Sequence, residues 1–240
     1  MPAAPIFNPQ PQIERIALAN GQHCLVIDDA VTEPERFVAF AAAQGAAFRD
    51  VDFNAYPGTY LLSPADVAAA LNEFFVQHLR RHFDARRVLD MHCRFSMVTR
   101  RPEELRPPQW FCHRDNLSGP PDQSIQASVL YLFRDPGLGG TSFYEALVPP
   151  AEIDALNRDA FTLDVAEFSR KWGLSAGYMT GSNHLFRRIG SIAARWNRLI
   201  FYDGSILHSG DIVAPERLNA DPEQGRLTFN SFFTCRRHMA

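Results

Sequence analysis

The sequence predicts a mainly β protein in which helices pack outside an antiparallel β-sandwich. From about residue 86 onward, short runs of β-type residues are separated by Gly, Pro, Asp and Asn, which is typical of a sandwich or barrel. Before that point, apolar residues recur mainly at helical spacing. At 240 residues, a chain of this class commonly folds as one unit, so we expect a single domain over residues 1–240.

Composition and charge argue against several kinds of partner. The net charge of -3 provides no electrostatic reason for binding nucleic acid or an anionic membrane. No apolar run is long enough to span a bilayer, and the first residues lack the basic and apolar regions of a secretion signal. The four cysteines show no CxxC spacing, which is typical of reduced thiols. We expect a cytoplasmic enzyme or binding protein whose partner is a small molecule or a peptide.

The N-terminal part is predicted to hold an extended arm, one strand and two helices. The arm covers residues 1–12, which include four prolines, and a short buried strand follows at His23–Asp29. A first helix over residues 32–45 carries Pro34 in its first turn. A second helix over residues 63–83 has Ser63 as its N-cap and an apolar stripe that is expected to cover a sheet.

The C-terminal part is predicted to be β-rich, with one long interruption. The expected strands are VLDMHCRFSMVTR, WFCHRD, IQASVLYLF, TSFYEAL, RLIFYDG, ILHSGDI and RLTFNSFFTCR. The interruption runs from residue 149 to 197, is mostly helical in pattern, and ends in HLFRRIG, itself a possible strand. A long ordered connection in a compact domain is usually functional, so we expect part of it to border the site. Its Phe161, Val165 and Phe168 are expected to pack a helix onto the sheet.

A histidine and a carboxylate stand close together in WFCHRDN. If this run is a strand, alternation places His113 and Asp115 on the same face, while Cys112 points into the core. Burying an imidazole and a carboxylate together is costly without partners. With His208 in a later strand, they would make the two-histidine, one-carboxylate set that binds Fe(II) and leaves coordination positions open. A strand-end cap with a separate core histidine is the alternative interpretation.

An arginine in the last strand suggests an anion. In GRLTFNSFF, Arg226 and Thr228 share one face of an otherwise apolar strand, and a guanidinium beside a hydroxyl suits a carboxylate. The alternative is a surface arginine in a half-exposed strand. A glycine-rich turn, DPGLGG, lies between the two halves of the predicted metal site.

A second pair of histidines is a weak candidate for a metal site. His78 and His82 lie four apart on the second helix, but Arg80 and Arg81 stand between them and repel a cation. We interpret this pair as part of a solvated helix face.

Taken in order, these segments resemble the Fe(II)/2-oxoglutarate-dependent dioxygenase superfamily, and its prolyl-hydroxylase-like branch in particular. The resemblance runs from about residue 94 to 236 and rests on HRD, VLYLF, GGTSFYE, LIFYDGSILHSG and GRLTF. It implies a double-stranded β-helix, or jelly-roll, core over residues 86–240, with a helical insert at about 149–197 and the N-terminal helices packed outside.

The resemblance also implies roles for individual residues. His113, Asp115 and His208 would bind Fe(II), Arg226 would bind the far carboxylate of 2-oxoglutarate, and Thr228 would be its hydroxyl partner. Many members carry a co-substrate tyrosine on the strand before the His-x-Asp pair. That region has no tyrosine here, and Tyr131 is the candidate replacement.

The implied activity is hydroxylation of an unidentified substrate with 2-oxoglutarate and O2. Two alternatives stay open on the sequence: a catalytically silent jelly roll that binds a ligand or partner, and a cupin-like metalloenzyme that does not use 2-oxoglutarate. A shared fold does not decide between them.

Overall fold

The structure is a computed structural model that describes residues 5–50, 55–115 and 119–238. The strands are β1 (Glu14–Ala17), β2 (His23–Ile27), β3 (Arg49–Asp50), β4 (Gly58–Leu62), β5 (Arg87–Val98), β6 (Gln123–Tyr131), β7 (Thr141–Ala146), β8 (Phe186–Ile192), β9 (Arg198–Asp203), β10 (Leu207–Gly210) and β11 (Arg226–Arg236). The helices are α1 (Pro34–Ala43), α2 (Ala65–Phe74), α3 (Pro150–Thr162) and α4 (Val165–Trp172). No helix in the described residues is long and apolar enough to cross a membrane.

The strands form two antiparallel sheets, so the predicted fold class is confirmed. The large sheet has the order β1-β2-β9-β6-β11-β5-β4-β3, and the small sheet has the order β10-β7-β8. The ending HLFRRIG forms β8, as the sequence suggested. The sequence missed β1, β3 and β4, which are short and carry little alternation.

One face of the large sheet is covered by the N-terminal helices. Side chains alternate along β11, so Phe229 and Phe233 point to this face while Arg226 and Thr228 point to the other. The ring of Phe75 stacks on that of Phe233 with 4.2 Å between centroids, and Phe37 of α1 meets Phe229 edge-on at 5.5 Å. These aromatic contacts bury the helix side of the sheet, which leaves the opposite face for the functional site.

The second helix is less regular than predicted. Regular turns run from Ala65 to Phe74, and a wider π-type turn over Phe75–Leu79 follows. Phe74 and Phe75, where the regular turns give way to the wider one, are both buried in the core. Ser63 was wrongly predicted as the N-cap, because its hydroxyl instead donates to the carbonyl of Pro64 at 3.0 Å.

The predicted strand WFCHRD is wrong. Residues 110–115 are irregular, and His113 makes one isolated bridge to His208, with N–O distances of 3.0 and 2.9 Å. Pro107 and Pro108, which begin a short 3₁₀ turn directly before this run, lack the N–H donors that a sheet requires. Cys112 is nevertheless a buried core thiol, as expected.

Of the three insert residues that were expected to pack a helix onto the sheet, two do not do so. Phe168 is fully buried, but Phe161 and Val165 are exposed by 63% and 56%. The buried stripe of α3 is formed by Ile153, Leu156 and Ala160, which leaves Phe161 beside the stripe and not within it.

Candidate metal centre and its cavity

His113, Asp115 and His208 converge at one edge of the small sheet. The bridge between the two histidines places their rings side by side, with 4.5 Å between centroids. His113 Nε2 lies 3.8 Å from Asp115 Oδ1, and His208 Nε2 lies 3.6 Å from Asp115 Oδ2. One ligand atom from each residue lies within 4.8 Å of the others. The turn at Gly204 positions the carboxylate, because its carbonyl accepts the Asp115 N–H at 2.9 Å.

The three side chains fit a divalent metal such as Fe(II). The Nδ1 of His208 lies 2.9 Å from the Ile206 carbonyl, which assigns the proton to Nδ1 and leaves the Nε2 lone pair free to coordinate. Asp115 Oδ2 is buried and has no hydrogen-bond partner among the described residues. A buried carboxylate oxygen without a donor is costly, and coordination to a metal would remove that cost.

Burial sets the charges of this site. It lowers the pKa of His208 to about 4, and desolvation together with the neighbouring His208 lowers the pKa of His113 to about 4, although 44% of the His113 side chain is exposed. Burial also raises the pKa of Asp115 to about 6. At neutral pH the site therefore holds two neutral imidazoles and a carboxylate, which is the protonation state that binds a metal.

The metal affinity is expected to fall as the pH drops through about 6. Below the pKa of Asp115, a proton must leave before the carboxylate can bind, so we expect about a tenfold loss per pH unit. Above pH 6 the affinity should level off, because both imidazoles are already neutral. Calorimetric titration with Co(II), from about pH 5 to 7.5, measures this dependence. A constant affinity over that range would contradict ligation by Asp115.

A cavity of about 420 Å³ lies between the two sheets and contains the three candidate ligands. Its volume falls within the roughly 300–1,000 Å³ of ordinary ligand pockets. Arg226 and Thr228 also line it, and the insert contributes Asn157, Phe161 and Tyr178. The prediction that part of the insert borders the site is therefore confirmed.

The glycine-rich turn orients Arg226. The buried guanidinium donates from Nε to the carbonyl of Leu138 at 2.9 Å and from Nη2 to that of Gly140 at 3.0 Å. No described residue accepts from Nη1. The backbone thus uses two of the three guanidinium nitrogens, and Nη1 is the one left for an anion in the cavity.

Substituting Gly139 with alanine is expected to destabilise the protein by about 1–3 kcal/mol. Gly139 has a φ of 77°, and a Cβ there would lie 1.8 Å from the carbonyl oxygen of Asp211. Gly181→Ala is the matched control, because nothing lies within 4 Å of its added Cβ. Urea unfolding of the two variants measures the difference, and a Gly139→Ala protein as stable as the control would contradict the steric argument.

Tyr131, the candidate tyrosine from the sequence, lies outside the cavity lining. It is fully buried, and its hydroxyl is hydrogen-bonded to Thr141 Oγ1 at 2.8 Å. Tyr56, directly before β4, does line it. Burial raises the pKa of Tyr56, while the neighbouring Arg226, Thr228 and Ser96 lower it, so its hydroxyl lies in their vicinity.

Tyr56 was not predicted as a cavity residue, because the tyrosine was expected in the segment directly before the His-x-Asp pair. The pairing of β4 with β5 carries Tyr56 to the same wall, although it stands far upstream in the chain. The stretch YPG, a tyrosine before a turn that opens a strand, was the available signal.

The two antiparallel sheets, with the cavity and the three candidate metal ligands between them, form a double-stranded β-helix. The structure is similar to that of the non-haem alpha-ketoglutarate-dependent carbocyclase SnoK from nogalamycin biosynthesis, with a TM-score of 0.52, 12% identity, and coverage of 91% of this chain and 82% of that chain. This likeness shows the fold alone.

Two other solved structures are similar at lower scores. A prolyl-4-hydroxylase from Pseudomonas putida has a TM-score of 0.44 and 13% identity, with 86% of each chain covered. HygX from Streptomyces hygroscopicus, with nickel and 2-oxoglutarate bound, has a TM-score of 0.47 and 12% identity, covering 90% of this chain and 84% of that one.

The chain belongs to DUF6445, a family of unknown function whose model matches residues 9–233. No protein with a curated description matches the sequence.

Proposed function

We propose that this protein is a non-haem Fe(II) oxygenase that uses 2-oxoglutarate and O2 to hydroxylate a small molecule or a peptide. The observation that carries the proposal is the convergence of His113, Asp115 and His208 around a buried carboxylate oxygen that has no hydrogen-bond donor among the described residues. These three residues would hold Fe(II) and leave coordination positions open toward the cavity. When bound, the iron and 2-oxoglutarate supply the oxidation of a substrate C–H bond by O2.

The opposite part of the cavity would bind the co-substrate. Nη1 of Arg226 and the hydroxyls of Thr228 and Tyr56 are grouped on one wall and are suited to the far carboxylate of 2-oxoglutarate. Leu138 and Gly140 hold the guanidinium in place before any ligand arrives, so little side-chain freedom is lost on binding.

Aromatic residues shield the metal ligands. The ring of Tyr202 meets the His208 ring edge-on, with 4.7 Å between centroids, and Phe143 in turn meets Tyr202 at 5.1 Å. This packing fixes the plane of the His208 imidazole. It also excludes water from the inner side of the site, where a reactive oxidant would otherwise be lost.

Anaerobic addition of Fe(II) and then 2-oxoglutarate to the full-length protein tests the proposal. We expect a weak visible absorption band on formation of the ternary complex, and succinate formation once O2 is admitted. Metal binding without 2-oxoglutarate binding would instead favour a cupin-like metalloenzyme. Failure to bind either would favour a catalytically silent jelly roll.

A further inference from the structure

Arg94 lies on the wall of the same cavity, held between two aromatic rings. Its guanidinium carbon is 3.9 Å from the centroid of the Tyr60 ring and 5.1 Å from that of Phe232. Tyr60 is on β4 and Phe232 on β11, the two strands that flank β5 in the large sheet. Contacts with ring faces stabilise a cation without neutralising its charge, so the guanidinium is positioned but still attracts an anion.

This wall also carries unsatisfied hydrogen-bonding groups. Arg94 Nε is buried, and among the described residues it has no hydrogen-bond partner and Arg94 has no carboxylate within ion-pair distance. Asn230, the cross-strand partner of Arg94, has a buried Oδ1 that is equally without a partner in the described residues. A buried donor and acceptor that face a cavity are costly when unpaired, and a bound ligand can satisfy both.

Arg94 and Arg226 are separated along the sheet. Arg226 pairs with Val98, whereas Arg94 pairs with Asn230, four residues further along β11. Four strand residues span about 13 Å, so the two side chains start from distant points on one face. Arg94 and the candidate metal ligand Asp115 both line the cavity. The cavity therefore has one arginine held by backbone carbonyls and a second that, among the described residues, is held by two aromatic rings.

We propose that Arg94 binds an anionic group of the substrate, a carboxylate or phosphate on an aromatic body that packs against the rings of the wall. The inference rests on the proposed function, since it assigns Arg226 to 2-oxoglutarate and Arg94 to the molecule that is oxidised. Aromatic surface next to the cation supports the aromatic body: Tyr60 and Phe232 flank Arg94, and His92 stacks on Phe232 with 5.1 Å between centroids. An anion beside Arg94 would engage Nε, and its attached ring would replace water on these faces.

Binding of three probes to the full-length protein tests the inference. Phenylacetate and phenyl phosphate carry the two anionic groups, and phenylacetamide is the neutral analogue of the first. We expect both anions, but not the amide, to bind when followed by saturation-transfer NMR, and the stronger anion identifies the preferred group. Arg94→Gln should weaken binding of the anions by about 10- to 100-fold while leaving 2-oxoglutarate affinity unchanged.

The matched control is Arg87→Gln, which removes an exposed arginine from the same strand outside the cavity. It should bind all probes as the parent protein does. Should Arg94→Gln fail to fold, as judged by its thermal unfolding, Arg94→Lys takes its place. Lysine keeps the charge but loses the planar Nε–H, so several-fold weaker anion binding is expected and parental affinity would count against the inference.

Three results would overturn the inference. Phenylacetamide could bind as tightly as phenylacetate, anion binding could be lost when Arg226 is substituted but not when Arg94 is, or neither anion could bind. All probes are measured with and without Ni(II) and 2-oxoglutarate. If the proposed function is wrong, the parent protein will not bind 2-oxoglutarate. The role of Arg94 is still tested in that case, because binding of the anionic probes is also measured without Ni(II) and 2-oxoglutarate.

Discussion

Substituting Arg226 with methionine is expected to weaken 2-oxoglutarate binding by roughly 30- to 5,000-fold, which corresponds to about 2–5 kcal/mol. The far carboxylate would then be desolvated in the cavity without its cation, while the hydroxyls of Thr228 and Tyr56 supply only neutral donors. Metal affinity should hardly change, because the metal ligands lie on other segments. Arg226→Lys should recover only part of the loss, since an ammonium cannot reach both the turn and the ligand as a guanidinium does.

Paired titrations with Co(II) and with 2-oxoglutarate measure these effects. Arg226 also satisfies the carbonyls of Leu138 and Gly140, so its loss will lower stability, and urea unfolding must show that the variant is folded at the titration temperature. If folded Arg226→Met binds 2-oxoglutarate as tightly as the parent, the carboxylate assignment is wrong and the cupin-like alternative gains support.

Substituting His208 with alanine is expected to reduce metal affinity by more than about 100-fold. This loss is larger than the roughly 10- to 100-fold loss that follows when a residue hydrogen-bonded to a metal ligand is removed, because His208 is itself a ligand. The Nε2 of His208 is directed by the hydrogen bond between its Nδ1 and the Ile206 carbonyl, and the backbone bridge from residue 208 to His113 aligns the second imidazole. Alanine keeps this backbone bridge, so the substitution removes one ligand and leaves the second in place. Binding of 2-oxoglutarate should decline as well, because in the proposed site the co-substrate chelates the metal.

His82→Ala is the matched control for this prediction. His82 belongs to the helical pair that was weighed as a competing metal site, and it is exposed. That segment ends in a 3₁₀ turn over Arg80–His82. Among the described residues, the His, Cys, Asp and Glu side chains grouped so that they could hold a metal ion are His113, Asp115 and His208. Calorimetry with Co(II) should show parental affinity for His82→Ala. Equal affinity of His208→Ala and the parent would refute the proposed metal centre.

The sequence alone predicted the class of fold and the three candidate metal ligands that the structure brings together. Strand runs such as RLTFNSFFTCR alternate apolar and polar side chains, and this alternation forces Arg226 and Thr228 onto one face whatever the strand pairs with. The His-x-Asp pair and the distal histidine were found because few arrangements other than metal binding satisfy buried imidazole and carboxylate groups together. Their roles as Fe(II) ligands are a prediction that awaits the titrations.

Only the tertiary structure decided how the cavity is completed. Tyr56 enters it through the pairing of β4 with β5, Arg226 is oriented by carbonyls of a distant turn, and Arg94 faces the cavity beside rings from two neighbouring strands. The sequence did not predict that His113 and Asp115 would meet His208 from an irregular segment with a single bridge. Local patterns report which face a side chain takes, because that depends on the periodicity of its own element. Which other segment faces that side chain depends on pairing between segments that are distant in sequence. Hydrogen bonds to distant backbone groups are not visible in the periodicity of the sequence.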